Sequence, residues 1–463
     1  MLMTVTLLAF CAVGAVGADF ETAAEAARNM RVGWNAGNAL ESNSGDTLNM
    51  WIEQWTDRSP RAYETAWGQR QSTAALMKMM REAGMNTIRI PVTWYPHMEA
   101  TFSSVTYNSS TSSLTPWLPW QDDIGKKIDA TWMARVKEVV DYVVGQGMYC
   151  ILNVHHDTGA SNTAWLLADT EVYVRQKERF EAVWQQIAEE FRDYDEHLLF
   201  EGYNEMLDAK RSWCFASSGS ASGYDAALAA DAYKAINSYA QSFVDVVRAT
   251  GGNNAQRNLI VSTYGACSGG GTWNSHLKDP LEQMALPGDN VADHLLFEVH
   301  SYPNISNLAN AKSEVSEMMA AIATHLASRA PVVIGEWGTS DSEADYKNNR
   351  SNMLEFARYF VESAKEHGFV TLYWMGLSDG ESRSVPQIDQ PDLLQAIIKG
   401  YYGEEGYSAV AAPVREQQRD TYDVYNCGGQ LLKQHVATLD GLAPGTYVVR
   451  FGRSGESRKI IVK

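Results

Sequence analysis

The chain has 463 residues, 45% of them hydrophobic and 20% charged, which is enough for one large domain with a filled core and something smaller besides. A formal net charge of -18 excludes the basic surface needed to hold nucleic acid or an anionic membrane, since a phosphate backbone is gripped mainly by Lys and Arg. Many of the 14 Trp and 22 Tyr belong to the core, and the remainder suit a surface that stacks on flat apolar faces such as those of sugar rings.

The first stretch, MLMTVTLLAFCAVGAVGADF, is apolar from Met1 to Val16 and closes on small residues from Ala15 to Ala18. Residues 1–18 read as a secretory signal, too short to span a membrane, although no Lys or Arg precedes the apolar run. A secreted or cell-surface protein is therefore expected, with no stable membrane insertion. Removing the signal takes Cys11 and leaves Cys150, Cys214, Cys267 and Cys427, which form neither a disulfide framework nor a zinc spacing. A Cys214–Cys267 bridge and free buried thiols both stay open.

Eight strand-like runs follow in order: VGWNAG near 32, TIRIPV at 87, YCILNVHH at 149, LLFEGYNE at 198, LIVSTYG at 259, LLFEVHSY at 295, PVVIGEWG at 331 and TLYWMG at 371. Amphipathic stretches alternate with them. In 132–144, Trp132, Val136, Val139, Val140 and Val143 mark one buried helix face, and 171–194, 226–249 and 345–367 are similar. Runs that are apolar throughout belong to parallel sheets covered on both faces. The fold class expected for residues 19–402 is thus an α/β (β/α)8 TIM barrel with insertions.

In such a barrel, polar residues that close an apolar strand point into a shared bowl. The ends give Asn38; Arg89; His155 and His156; Asn204 and Glu205; His300 and Tyr302; Glu336; and Trp374. In NSSTSSLTPWLPW, Trp117 and Trp120 are candidate sugar platforms. An ionised Glu205 beside Asn204 at the end of LLFEGYNEM is costly in a core and sensible at a site. Two carboxylates, from the fourth and seventh strands, suit glycoside hydrolysis, where a protonated acid assists the leaving sugar and an ionised partner attacks the anomeric carbon. A metal site from the HHD at 155–157 with His300 is disfavoured by Arg89 and the lack of a ligand cluster. No metal or organic cofactor is expected. GACSGGG at 265–271 lacks a nucleophile elbow or phosphate-loop ending and reads as a loop over the cleft.

Together GWNAGNALE, ETAWG, NTIRIPVTW, YCILNVHHD, FEGYNEM, FEVHSYP, VVIGEWG and LYWMGLSDG resemble glycoside hydrolase family 5, the cellulase-type retaining enzymes, over residues 30 to 402. The resemblance implies Glu205 as general acid/base and Glu336 as nucleophile. It further implies Asn204 on the sugar 2-hydroxyl, Tyr302 bonded to the nucleophile, His300 beside the acid/base, Arg89 and His155 beneath, and Trp374 as a sugar platform. Met206 stands where most such cellulases have Pro, which bears on the local loop. From Asp420 to Lys463 the pattern turns to short alternating strands, with six Lys/Arg against four Asp/Glu. A small β-sandwich is expected there, after a linker at 403–419. Its layout, with GLAPGTYVVRF and a basic end, resembles the carboxyl-terminal sorting domain of type IX secretion, whose machinery would be a partner. The expectation is a monomeric, secreted, retaining endo-β-1,4-glucanase acting on β-glucan. The same machinery on xyloglucan, mixed-linkage glucan or mannan is the alternative, and a non-catalytic glycan-binding barrel the reading from another class.

Overall fold

The eight runs become eight strands: β1 (Val32–Asn35), β2 (Thr87–Ile90), β3 (Tyr149–Asn153), β4 (Leu198–Glu201), β5 (Leu259–Ser262), β6 (Leu295–Ser301), β7 (Val332–Trp337) and β8 (Val370–Trp374). They pair in parallel and close into a barrel in the order β1-β8-β7-β6-β5-β4-β3-β2. Every residue of β1 to β7 is buried, as a sheet covered on both faces demands. This is a computed structural model, and it describes residues 20–45, 50–99, 107–108, 113–114, 125–212, 224–272, 274–339, 349–411, 422–426, 430–436, 442, 445–451 and 457–462.

The helices are α1 (Ala23–Met30), α2 (Ala74–Glu82), α3 (Ala130–Val144), α4 (Thr170–Glu190), α5 (Ala226–Ala249), α6 (Leu308–Ile322), α7 (Arg350–Glu366) and α8 (Pro391–Ala411), with shorter turns between them. Asp129, Asp169, Asp225 and Asn307 each cap a helix start by accepting a backbone N–H, so α3 to α6 begin where their sequences supply a short polar acceptor. Helix α4 stops at Glu190, short of the expected 194. Between β5 and β6 the long helix of a regular βα unit is replaced by a five-residue helix, Asp279–Gln283. Two residues of the glycine-rich loop expected over the cleft pack close by: a Cβ on Gly269 would lie 3.1 Å from Leu281 and one on Gly270 2.9 Å from Met318. Helix α1, which no motif announced, starts with a capping box between Thr22 and Glu25. Its Ala23, Ala27 and Met30 join Tyr149, Ile151, Leu199, Ile260, Leu296, Val333, Val370 and Leu372 in one buried cluster, sealing the barrel around the starts of its strands.

A second compact unit begins at Tyr402 and includes the turn Glu82–Gly84. The segment expected to be a linker from 403 is helical as far as Ala411, broken at Gly403, where φ is 72°. Beyond it, β9 (Tyr422–Asn426), β10 (Leu431–Val436), β11 (Gly445–Phe451) and β12 (Ser457–Val462) form an antiparallel sheet in the order β10-β9-β11-β12. Val424, Tyr447 and Val449 are buried, the last two at the two-residue spacing of one sheet face. The expected sandwich is, among the described residues, a single four-stranded sheet, because four strands of this length are used up in one layer.

One irregularity shapes the barrel mouth. Val299 pairs with Ile334 but His300 pairs with Glu336, so β7 carries an extra residue, Gly335, against β6. A Cβ on Gly335 would fall 1.7 Å from the Glu298 carboxylate, so the bulge and the buried acid require a glycine between them. Gly335→Ala is expected to destabilise the protein by about 1–3 kcal/mol through overpacking. An unchanged denaturation midpoint in this variant would refute that account.

Candidate active site

The site is assembled around Arg89 on β2, whose side chain is wholly buried. Its Nε and Nη2 donate to the two carboxylate oxygens of Glu201 at 2.6 and 2.7 Å. Nη2 also donates to Asn204 Oδ1 at 2.8 Å, while Nη1 donates to Asn35 Oδ1 at 3.1 Å and to Glu336 Oε1 at 2.8 Å. All five guanidinium donors are thereby used. Burial opposes its charge, but Glu201, Glu298 and Glu336 outweigh burial and hold Arg89 protonated. Glu201 and Glu298 share this one cation. Burial and the neighbouring Glu298 push Glu201 up, whereas for Glu298 the effect of burial is overcome by Arg89 and His300, which hold it low.

Above this layer stand the two carboxylates at the ends of β4 and β7. Glu336 accepts from Arg89 and, at 2.7 Å, from the hydroxyl of Tyr302. Glu205, with a quarter of its side chain exposed, pairs its Oε1 with His300 Nδ1 at 2.7 Å. A carboxylate oxygen of Glu205, a ring nitrogen of His300 and a carboxylate oxygen of Glu336 all lie within 4.8 Å of one another. Among the described residues this trio is the grouping whose spacing could accept a metal ion. Its imidazole is already committed to a proton. Burial works against the charge on His300, but Glu336, Glu205 and Glu298 raise its pKa to about 10, so the ring offers N–H donors instead of a lone pair.

His155 is the opposite case. Burial, then the charges of His156, Arg89 and His300, hold it well below the usual range, so it is neutral. Asn153 Nδ2 lies 2.9 Å from its Nδ1, which puts the proton on Nε2, 3.9 Å from Glu336 Oε1. The ring stacks on Trp374 with centroids 5.8 Å apart and planes within 3°. His156 is pushed down to about 4 by burial and lies 5.4 Å from the Trp67 ring. Asp157 completes no metal set: its carboxylate accepts from the Trp94 and Tyr95 amides and the Trp165 indole. Asn38 sits in the left-handed backbone region at φ 57°, its backbone N–H donating to the buried Glu41. Next to it, a Cβ on Gly37 would meet the Trp374 ring at 3.0 Å. Met206 is buried, and its carbonyl accepts from the amide of Gly265, tying the loop after β4 to the loop after β5.

Ten of the predicted residues thus lie at or beside the carboxyl ends of the strands. Trp117, Trp120 and Cys214 fall outside the described residues. Asn35, Asn153, Glu201, Glu298, Trp67 and Glu41 also belong to the site or its support, though none of them closes an apolar run in the sequence. Strand periodicity held a signal for two of them: Asn153 and Glu298 precede His155 and His300 by two residues and so share their strand face.

The profile of the cellulase family, glycosyl hydrolase family 5, matches residues 51–379. Endoglucanase B of Neocallimastix patriciarum is 31% identical over 421 residues, covering 86% of this chain and 76% of that protein. A GH5-4 broad specificity endoglucanase from an uncultured bacterium superposes with a TM-score of 0.73 at 46% identity, over 83% of this chain and 96% of that one. A family 5 enzyme of Prevotella bryantii, solved with a xyloglucan tetradecasaccharide, superposes with a TM-score of 0.66 at 37% identity, over 82% of this chain and 99% of that one.

Arg89→Met is expected to destabilise the protein by about 3–5 kcal/mol at neutral pH, because Glu201, Glu298 and Glu336 lose their shared cation. Without it, Glu201, already pushed up, loses the charge that opposes burial, and Glu298 loses the cation that helps hold it low, so protonation is favoured at both in the folded state and the deficit should shrink as pH falls. Thermal melts at acid and neutral pH test this; an equal deficit at both would contradict it.

Proposed function

The chain belongs to glycosyl hydrolase family 5, the cellulase family, and from that premise we propose a secreted endo-β-1,4-glucanase that cleaves with retention, with Glu205 as general acid/base and Glu336 as nucleophile. The observation that carries this reading is the approach of the two carboxylates, an oxygen of each within 4.8 Å of the other. Retaining glycosidases hold their pair about 5–5.5 Å apart, whereas inverting ones leave room for a water.

In the first half-reaction Glu336, its charge stabilised by the bonds from Arg89 and Tyr302, attacks the anomeric carbon while Glu205 gives its proton to the departing sugar oxygen. In the second, Glu205 takes a proton from water, which attacks the glycosyl–enzyme bond and frees Glu336. Asn204, whose Oδ1 is occupied by Arg89, keeps its amide N–H groups for the sugar 2-hydroxyl. Trp374, backed by the stacked His155, offers a face to a sugar ring.

Cellulose and related unbranched β-glucans are the proposed substrates. The xyloglucan bound to the Prevotella bryantii enzyme makes a branched glucan the substrate to run beside them, with mixed-linkage glucan and mannan completing the panel. Export through residues 1–18, and sorting through residues 420–463 by type IX machinery, are proposed on sequence alone. Removing residues 420–463 should leave hydrolysis of soluble glucan nearly unchanged, since every residue given a chemical role precedes 380. Loss of activity from a folded truncated protein would move the catalytic boundary.

The roles separate by leaving group. Glu336→Ala should lose on the order of 10⁴-fold or more on polysaccharide and aryl glycoside alike. Glu205→Ala should lose about 10²–10⁴-fold on polysaccharide. On a nitrophenyl glycoside it should still release a burst of nitrophenolate, then turn over slowly, with added azide restoring the rate and yielding a product of retained configuration. If Glu336→Ala gives that retained azide product and Glu205→Ala does not, the roles are reversed.

A further inference from the structure

Glu298 lies on β6 two residues before His300, wholly buried, and the reaction outlined above gives it nothing to do. Its Oε2 accepts from Ser262 Oγ at 2.7 Å. Its Oε1 makes no fully formed hydrogen bond, and neither does Nε2 of His300. The two atoms face each other at 3.5 Å, with Arg89 Nε at 3.4 Å from the same oxygen. Room for this carboxylate comes from the bulge on β7, where Gly335 leaves the space a Cβ would occupy.

The groups around the His300 ring divide by edge. Glu205, after β4, and Glu336, on β7, approach Nδ1 at 2.7 and 3.6 Å. On the Nε2 edge stands Glu298. Behind these carboxylates, Arg89 on β2 faces Glu298, Glu336 and Glu201 on β4, Tyr302 after β6 bonds Glu336, and the neutral His155 after β3 feels the charge of His300.

We propose that Glu298 is a positioning residue for the acid/base: its buried carboxylate, set against Nε2, keeps His300 doubly protonated so that Nδ1–H remains a donor to Glu205 through both half-reactions. The inference rests on the reading of Glu205 given above. A neutral His300 protonated on Nε2 would turn a lone pair toward Glu205 and draw its proton away from the glycosidic oxygen. An imidazolium cannot accept it. The proton of Glu205 then goes to the leaving oxygen, the proton of water returns to Glu205, and His300 keeps both of its own. The pKa of about 10 for His300 agrees with this arrangement.

The test compares full-length wild type, Glu298→Gln and Glu298→Asp by nitrogen-15 NMR of labelled histidines and by the pH dependence of kcat/KM on soluble glucan. In wild type both ring nitrogens of His300 should stay protonated from about pH 5 to about pH 8. Glu298→Gln removes a negative charge and so lowers the proton affinity of the His300–Glu205 pair. Its His300 should titrate at lower pH, and the basic limb of kcat/KM should move down by about one pH unit or more. Glu298→Asp, which keeps the charge, should restore the limb toward wild type. A neutral His300 at pH 7 in wild type overturns the proposal even if Glu298→Gln does not fold. So does a Glu298→Gln profile that superposes on wild type, or a shifted His300 titration with an unmoved limb. An error in the role of Glu205 would show separately, in the azide experiment, and would leave the NMR titration unaffected.

Discussion

The guanidinium of Arg89 must be paired, and the interior of the barrel is organised by that need. A buried cation with five donors and no acceptor is tolerated only where oxygen atoms converge on it, and here they come from β1, the end of β4 and β7. The same bonds that satisfy Arg89 orient Asn204 and stabilise charge on Glu336. The support of the fold and the preparation of the reaction centre are therefore one network, and a change to the lower layer reaches Glu336 through Arg89 and Glu205 through His300.

Two histidines in this network are driven in opposite directions by the charges around them. His155 shares its surroundings with cations and His156, so burial prevails and it stays neutral. His300 stands among three carboxylates, which overcome the same burial and keep it protonated. The residue type is the same in both places, and the count of nearby anions decides its state. That distinction is invisible in the motifs HHD and VHSY, which show only that a histidine ends a strand.

Much of the architecture could be read before the structure was in hand, since strands buried on both faces leave uninterrupted apolar runs and each of the eight runs became a barrel strand. The residues that close those runs, such as Glu205, Tyr302 and Trp374, were visible because a polar or aromatic end to an apolar strand needs a reason. Glu201 and Glu298 were harder to see. Each lies inside its run, flanked by Phe200 or Phe297 and followed by small or apolar residues, so it passes for an interruption of the core. Only the pairing across the barrel, with Arg89 as common partner, explains it. Helix α1 lacked any signal beyond its cap, and the sandwich expected of the tail failed because alternation along a strand does not reveal how many layers the strands make.

The barrel closes between its first and last strands. β1 pairs with β8, and the Asn35 amide donates to the carbonyls of Gly335, Leu372 and Tyr373, roughly three hundred residues along the chain. Until β8 has emerged from the ribosome, one edge of β1 is bare and the amide of Asn35 lacks the acceptors that hold it toward Arg89. Ring closure is thus a late and non-local event, and the nascent chain passes through a stage in which β1 and β7 each have an open side. A chain that has not closed its ring carries two unpaired strand edges, so the last strand to be made is also the one that removes both of them.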